Sequence, residues 1–126
     1  MFLLDTHTLL WFIENDEKLS NHAQITLSEN STPKFISIVT LWEIAIKYSL
    51  EKLKLQISLQ DFFNLIHSSD IGIISISTEH LLILNSLNLY HKDPFDRMII
   101  AQAISENFTI ITKDENFSNY KVKTVW

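Results

Sequence analysis

Four short apolar runs punctuate the chain: "FLLD" at 2–5, "KFISI" at 34–38, "IGIISIS" at 71–77 and "FTIIT" at 108–112. Stretches of helical length and amphipathic pattern separate them. Runs of four to seven residues rich in Ile, Leu and Phe suit strands buried on both faces, which is the setting of a parallel sheet. Strand and helix in alternation predict an α/β fold, with helices covering both faces of that sheet. "VKTVW" at 122–126 supplies a fifth strand.

The helical stretches carry their own start signals. Thr6–Glu14 follows the first strand directly. Ser20 is placed to cap a second helix, Thr40 a third over "TLWEIAIKYSLEK", and Ser58, with Asp61 three residues on, a fourth. "TEHLLILNSL" reads as a fifth. "DPFDRMIIAQAISEN" reads as a sixth, with Pro94 at its first position.

With 126 residues, one glycine (Gly72) and two prolines, the chain has no room for a flexible linker, and one domain over 1–126 is expected. No cysteine is present, so disulfides and thiolate metal sites are excluded. The opening apolar stretch meets Asp5 at once and no run approaches the 20 or so residues that span a bilayer, so a cytoplasmic protein without membrane attachment is expected. A net charge of −5, with Arg97 the only arginine, argues against simple electrostatic binding of nucleic acid.

The acids follow the topology. Ligands of a parallel sheet bind at the carboxyl ends of its strands. Asp5 ends the first strand and Asp114 follows the fourth. Glu43 lies about one turn into the helix leaving the second. Asp96 opens the helix that returns into the fourth strand, which brings it to the same rim provided that the helix at 78–87 crosses the rim instead of running down the sheet. Each acid also has a plainer use. Asp5 and Asp114 suit turns, Asp93 and Asp96 suit the cap and third position of a helix, and Thr40, Glu43 and Lys47 suit a solvated helix stripe. Four carboxylates together are harder to explain, because two of them about 5 Å apart repel by roughly 3 kcal/mol at an effective dielectric near 20. A divalent cation bound through oxygen alone, Mg²⁺ or Mn²⁺, would compensate, and would activate water against a phosphodiester.

"LLDTHTLLW", "SIVTLWEIAIK", "HKDPFDRMIIAQA" and "IITKDENF", in that order, resemble the PIN-domain family of metal-dependent ribonucleases, and within it the VapC-type toxins of bacterial toxin–antitoxin pairs. The resemblance spans essentially the whole chain. It implies a three-layer α/β/α sandwich with a sheet ordered 3-2-1-4-5, and a metal held by Asp5, Glu43, Asp96 and Asp114. It assigns assisting or capping work to Asp93, and orienting hydroxyls to Thr6, Ser37 and Thr112. It further implies an RNA substrate cut to leave a 5′-phosphate, a homodimer, and a cognate antitoxin whose basic side chain enters the acidic pocket.

Other polar and aromatic residues have simpler roles. His7 is expected to be hydrogen-bonded in place, His91 to have an ordinary packing role with a contact to substrate or partner as the alternative, and His22, His67 and His80 to be surface or half-buried. Trp11 and Trp42 read as core or interface packing. Lys47, Lys52 and Lys54 are either a solvated face or guides for a phosphate backbone, and Arg97 either pairs with an acid or meets RNA. Two other classes of function remain. A receiver-like signalling domain also binds Mg²⁺ on a parallel sheet, but needs an aspartate after the third strand, where this chain has "SIS" and no acid before Glu79. A PIN-type interaction module without activity is the second. A dinucleotide-binding domain fails for want of glycines, and a haloacid-dehalogenase-type phosphatase fails because "DTHT" places His7 where a second aspartate belongs.

Overall fold

A computed structural model describes residues 1–126. Five parallel strands form one sheet in the order β3-β2-β1-β4-β5. They are β1 (Phe2–Leu4), β2 (Lys34–Ser37), β3 (Gly72–Ile74), β4 (Thr109–Ile111) and β5 (Thr124–Val125). Six α-helices connect them: α1 (Thr6–Glu14), α2 (Asn21–Ser28), α3 (Ile38–Ser49), α4 (Leu59–Ser68), α5 (Thr78–Ser86) and α6 (Pro94–Glu106). A 3₁₀ turn at Glu115–Asn119, which no sequence signal announced, follows β4. No helix is long and apolar enough to cross a membrane.

The sheet is buried on both faces because its residues alternate between two cores. Leu4, Ile36 and Ile111 face one core with residues of α1, α2, α3 and α4. Leu3 and Ile110 face the other, with Met98, Ile99, Ile100 and Ala103 of α6, and Phe117 and Tyr120. These two cores make the three-layer α/β/α sandwich.

Two helix starts differ from expectation. Ser37, not Thr40, caps α3, its hydroxyl accepting from the Val39 N–H at 3.1 Å. Helix therefore begins as soon as β2 ends, and Thr40 falls inside it, fully buried. The third strand is only three residues long and half-buried, because it is an edge strand with a single neighbour.

The helix at 78–87 does not cross the rim. His80, near the start of α5, meets Glu106 at the end of α6 at 2.9 Å. Arg97, at the start of α6, donates to the carbonyl of Asn88 just beyond α5 at 2.9 Å. The two helices thus run antiparallel. Since α6 turns into β4 through Asn107 in the left-handed conformation (φ 56°), α5 climbs toward the carboxyl edge and delivers the start of α6 there.

The edge strand is packed tightly enough to be tested. A Cβ on Gly72 would lie 2.6 Å from Cδ1 of Phe35, whose ring is stacked on Phe108 with centroids 5.1 Å apart. Gly72→Ala is expected to lower stability by about 1–3 kcal/mol in urea unfolding. An unchanged midpoint would contradict this packing.

Candidate functional site

At the carboxyl edge, Asp5 ends β1 and caps α1 (Oδ1 accepts from the Thr8 N–H at 2.7 Å). Its Oδ2 accepts a short hydrogen bond from Thr112 Oγ1. Thr8 Oγ1 donates to the Ile111 carbonyl at 2.8 Å, tying α1 to the end of β4. Asp5 is only 4% exposed, and burial pushes its pKa up against the pull of these donors.

Glu43 reaches the same region from α3 and is 3% exposed. Thr6 Oγ1 donates to its Oε1 at 2.7 Å, and Lys47 Nζ donates to its Oε2 at 2.6 Å. The Glu–Lys pair four residues apart is thus present, with its carboxylate buried and Lys47 39% exposed, and is not a fully solvated stripe. Asp114 accepts from the Asn116 N–H at 2.9 Å and so caps the 3₁₀ turn, while its own N–H donates to Thr112 Oγ1 at 3.0 Å. Thr112 therefore links Asp5 to Asp114.

Asp96 stands in the first turn of α6, its N–H donating to the capping carboxylate of Asp93 at 2.9 Å. Its carboxyl pKa is pushed up to about 8, first by burial and then by the negative charges of Asp93, Glu43, Asp5 and Asp114. All four acids expected at the rim are thus electrostatic neighbours. They do not form a closed cage: no three of the acidic and histidine side chains stand close enough to be a ready-made ligand set. The plainer uses are real as well, since Asp5, Asp93 and Asp114 all cap helical turns. Capping does not exhaust a carboxylate, whose two oxygens offer about four acceptor sites.

The donors suit a hard cation. They are all oxygen, they repel one another, and the lysine that reaches them neutralises Glu43 alone. Thr6 and Thr112 contact the cluster directly. Ser37 is engaged with Val39 and makes no hydrogen bond to the carboxylates.

A second network holds Asp96 from outside. His91 Nε2 lies 3.3 Å from Asp96 Oδ2, and its Nδ1 lies 2.8 Å from the Tyr120 hydroxyl. Arg97 donates to that hydroxyl at 3.1 Å, and pairs with carbonyls and not with an acid. His91 thus contacts a site residue within the chain. Tyr120 is a member of the site that the sequence did not reveal, being one tyrosine in a loop.

Several other residues depart from expectation. His80 is buried, not surface, because its ring accepts from the Ser77 N–H at 3.0 Å and meets Glu106. His7 is exposed and lies against Trp11, with ring centroids 5.6 Å apart, and is not fixed by hydrogen bonds. Trp42 is 59% exposed and edges onto Phe95, outside both cores, which rules out its core reading and leaves interface packing. A hollow of about 250 Å³ lined by Asp5, His7, Trp11, Lys113 and Asp114 opens to solvent beside two of the acids.

Comparison with known proteins agrees with this fold. The family model described as "PIN domain" matches residues 2–123. The chain is 25% identical to Ribonuclease VapC22 of Mycobacterium tuberculosis over 130 residues, covering 98% of this chain and 97% of that one. Its fold is similar to that of VapBC2 from Rickettsia felis bound to a promoter DNA fragment, with a TM-score of 0.75 at 21% identity over 98% of this chain and 96% of that one. FitAcB from Neisseria gonorrhoeae is similar with a TM-score of 0.71 at 16% identity, over 100% of this chain and 97% of that one.

The raised pKa values set a pH dependence. Asp96 ordinarily titrates near 3.8 and here near 8, so between these values the folded, metal-free chain holds a proton that the unfolded chain has lost. Stability then falls as pH rises through that window, and Asp5, shifted in the same direction, adds to the trend. The urea midpoint measured in EDTA is expected to drop from pH 5 to pH 8, and Asp96→Asn to raise it at pH 8. A midpoint that climbs with pH would contradict the acid cluster.

Proposed function

As the chain belongs to the PIN-domain family, we propose that it acts, as one domain over 1–126, as a Mg²⁺- or Mn²⁺-dependent endoribonuclease, the toxin of a toxin–antitoxin pair. The observation that carries this reading is the gathering of acids around Asp96, whose carboxyl is pushed to about 8 first by burial and then by the charges of Asp93, Glu43, Asp5 and Asp114. The curated relative named a ribonuclease and the toxin–antitoxin complexes among similar structures support it.

Asp5, Glu43, Asp96 and Asp114 would hold the ion. When bound, such a cation supplies Lewis acidity toward water and the phosphodiester. The chain's own groups do the positioning. Thr112 and the Thr8 N–H orient Asp5, Thr6 orients Glu43, and His91 steadies Asp96. A carboxylate of the cluster accepts the proton of the attacking water. The new bond forms from water oxygen to phosphorus, the bond from phosphorus to the 3′-oxygen breaks, and the leaving 3′-oxygen takes a proton from solvent, so the products are a 5′-phosphate and a 3′-hydroxyl. Phosphoryl transfer asks the protein for little beyond position and charge.

A cognate antitoxin fits the same electrostatics, since a basic side chain entering the acidic hollow would stand in for the cation. A second copy of the chain would cover the apolar side chains of α5 and the loop after it, where Leu82 is 72% exposed and Leu89 65%.

The test is cleavage of a structured RNA pool by the partner-free chain in Mg²⁺, in Mn²⁺ and in EDTA. Metal-dependent cuts are expected, reduced about a hundred-fold or more in Asp96→Asn and Asp5→Asn, the scale on which losing a transition-state charge contact acts. A folded wild type that never cuts would favour an interaction module without activity. Cleavage that survives both substitutions would contradict the assignment of the acids.

A further inference from the structure

Three side chains outside the acid cluster form one hydrogen-bonded chain that ends on a member of it. The Tyr120 hydroxyl, buried among them, has three partners. Arg97 Nη1 donates to it at 3.1 Å, the backbone N–H of His91 donates to it at 3.3 Å, and His91 Nδ1 lies 2.8 Å away. On the other side of the same ring, His91 Nε2 lies 3.3 Å from Asp96 Oδ2.

Counting protons fixes the direction of this chain. A phenolic oxygen can accept twice and donate once. The guanidinium and the backbone N–H can only donate, and between them they use both acceptor positions. His91 Nδ1 must then accept the phenolic proton. An Nδ1–H would bring a third donor to an oxygen already filled, and would leave the tyrosine proton buried without an acceptor. His91 is therefore held as the tautomer that carries its proton on Nε2, and that N–H donates to Asp96. A histidine without this constraint could offer Asp96 a lone pair instead.

The placing of Tyr120 reaches a second acid. Its N–H donates to the Phe117 carbonyl at 3.2 Å, where it ends the 3₁₀ turn that Asp114 begins. Phe117, between them, is fully buried, so the turn is pinned to the core. Arg97 secures the other side, donating also to the Asn88 carbonyl at 2.9 Å. One short turn thus carries Asp114 at its start and, through Tyr120 and His91, the support of Asp96 at its end.

We infer that Tyr120 and Arg97 are positioning residues of the acid site, which set the tautomer of His91 and through it the orientation of Asp96. The inference rests on the proposed cation-dependent reading and adds to it the groups that tune one acid from outside the cluster. An N–H aimed at Oδ2 favours the ionised carboxylate, the form that holds a cation, and fixes the plane of the group. Neither Tyr120 nor Arg97 touches the acids with its own side chain, so both act through His91.

Tyr120→Phe is the test, because it keeps the ring that packs on Tyr90 and His91, with centroids 5.0 and 5.5 Å away, and removes only the hydroxyl. The first readout is the ring ¹⁵N shifts of His91 in EDTA at pH 7, assigned by their loss in His91→Gln. Wild type is expected to show a bare Nδ1 and a protonated Nε2, and Tyr120→Phe a mixture of tautomers. The second readout is Mn²⁺ affinity by calorimetry, expected to fall about ten-fold in Tyr120→Phe, the scale on which partners of a metal-ligating group act. His91→Gln, whose amide can still donate to Asp96, is expected to keep more of the affinity than His91→Leu, which decides the matter if Tyr120→Phe unfolds. A proton on Nδ1 in the wild type would overturn the inference. So would a folded Tyr120→Phe that binds Mn²⁺ as tightly as wild type, or equal losses in the two His91 variants. Wild type that shows the expected tautomer and never binds Mn²⁺ keeps the hydrogen-bonded chain and overturns the cation reading.

Discussion

The structure turns on a carboxylate that water scarcely reaches. Asp5 sits where β1 becomes α1, and its two oxygens are held by the Thr8 amide and the Thr112 hydroxyl. Those two bonds join the first strand, the first helix and the exit of β4. Thr8 adds a third tie through the Ile111 carbonyl. A buried charge of this kind is costly unless it is compensated, and burial already pushes the Asp5 pKa up. Every other feature of the rim can be understood as a response to that charge or as a further use of it.

The response is uneven by design of the fold. Glu43 is neutralised locally by Lys47 and oriented by Thr6. Asp114 spends one oxygen on a helical cap. Asp96 has the least compensation, lying among four other acids with only His91 against its carboxyl, and its pKa is the one pushed to about 8. On the proposed reading, the site exchanges this proton for a cation. Around it the charge reverses, with Lys18, Lys47, Lys52 and Lys54 along one groove and Lys113 at the mouth of the hollow. Net charge hides this arrangement, which depends on where ten cations and fifteen acids are placed.

Much of the architecture was legible because local signals agreed with each other. Ser20 and Ser58 cap the helices they precede, Asp93 and Pro94 open α6, and Leu3–Leu4 and Ile110–Ile111 alternate between the two cores. The rim positions of Asp5 and Glu43 followed from their places at the exits of the first two strands of a parallel sheet. What could not be seen depended on contacts distant in sequence. The direction of α5 is set by His80 with Glu106 and by Arg97 with the carbonyls after α5, pairs that no periodicity reveals. Thr40 looked like a cap because it precedes an amphipathic stretch, yet Ser37 captures the helix three residues earlier. Tyr120 joins His91 and Arg97 only through a loop closure. His7 was given a hydrogen bond because it stands beside the site, and instead lies open against Trp11.

The central claim is that the rim acids bind a divalent cation at the expense of a proton on Asp96. Calorimetric titration of Mn²⁺ into the chain at pH 7, repeated in buffers of different ionisation enthalpy, measures that exchange directly. Saturable binding with release of about one proton per ion is the expected result, because a group titrating near 8 must be deprotonated to become a ligand. Binding whose heat is independent of buffer, or no binding at all by a folded chain, would contradict it.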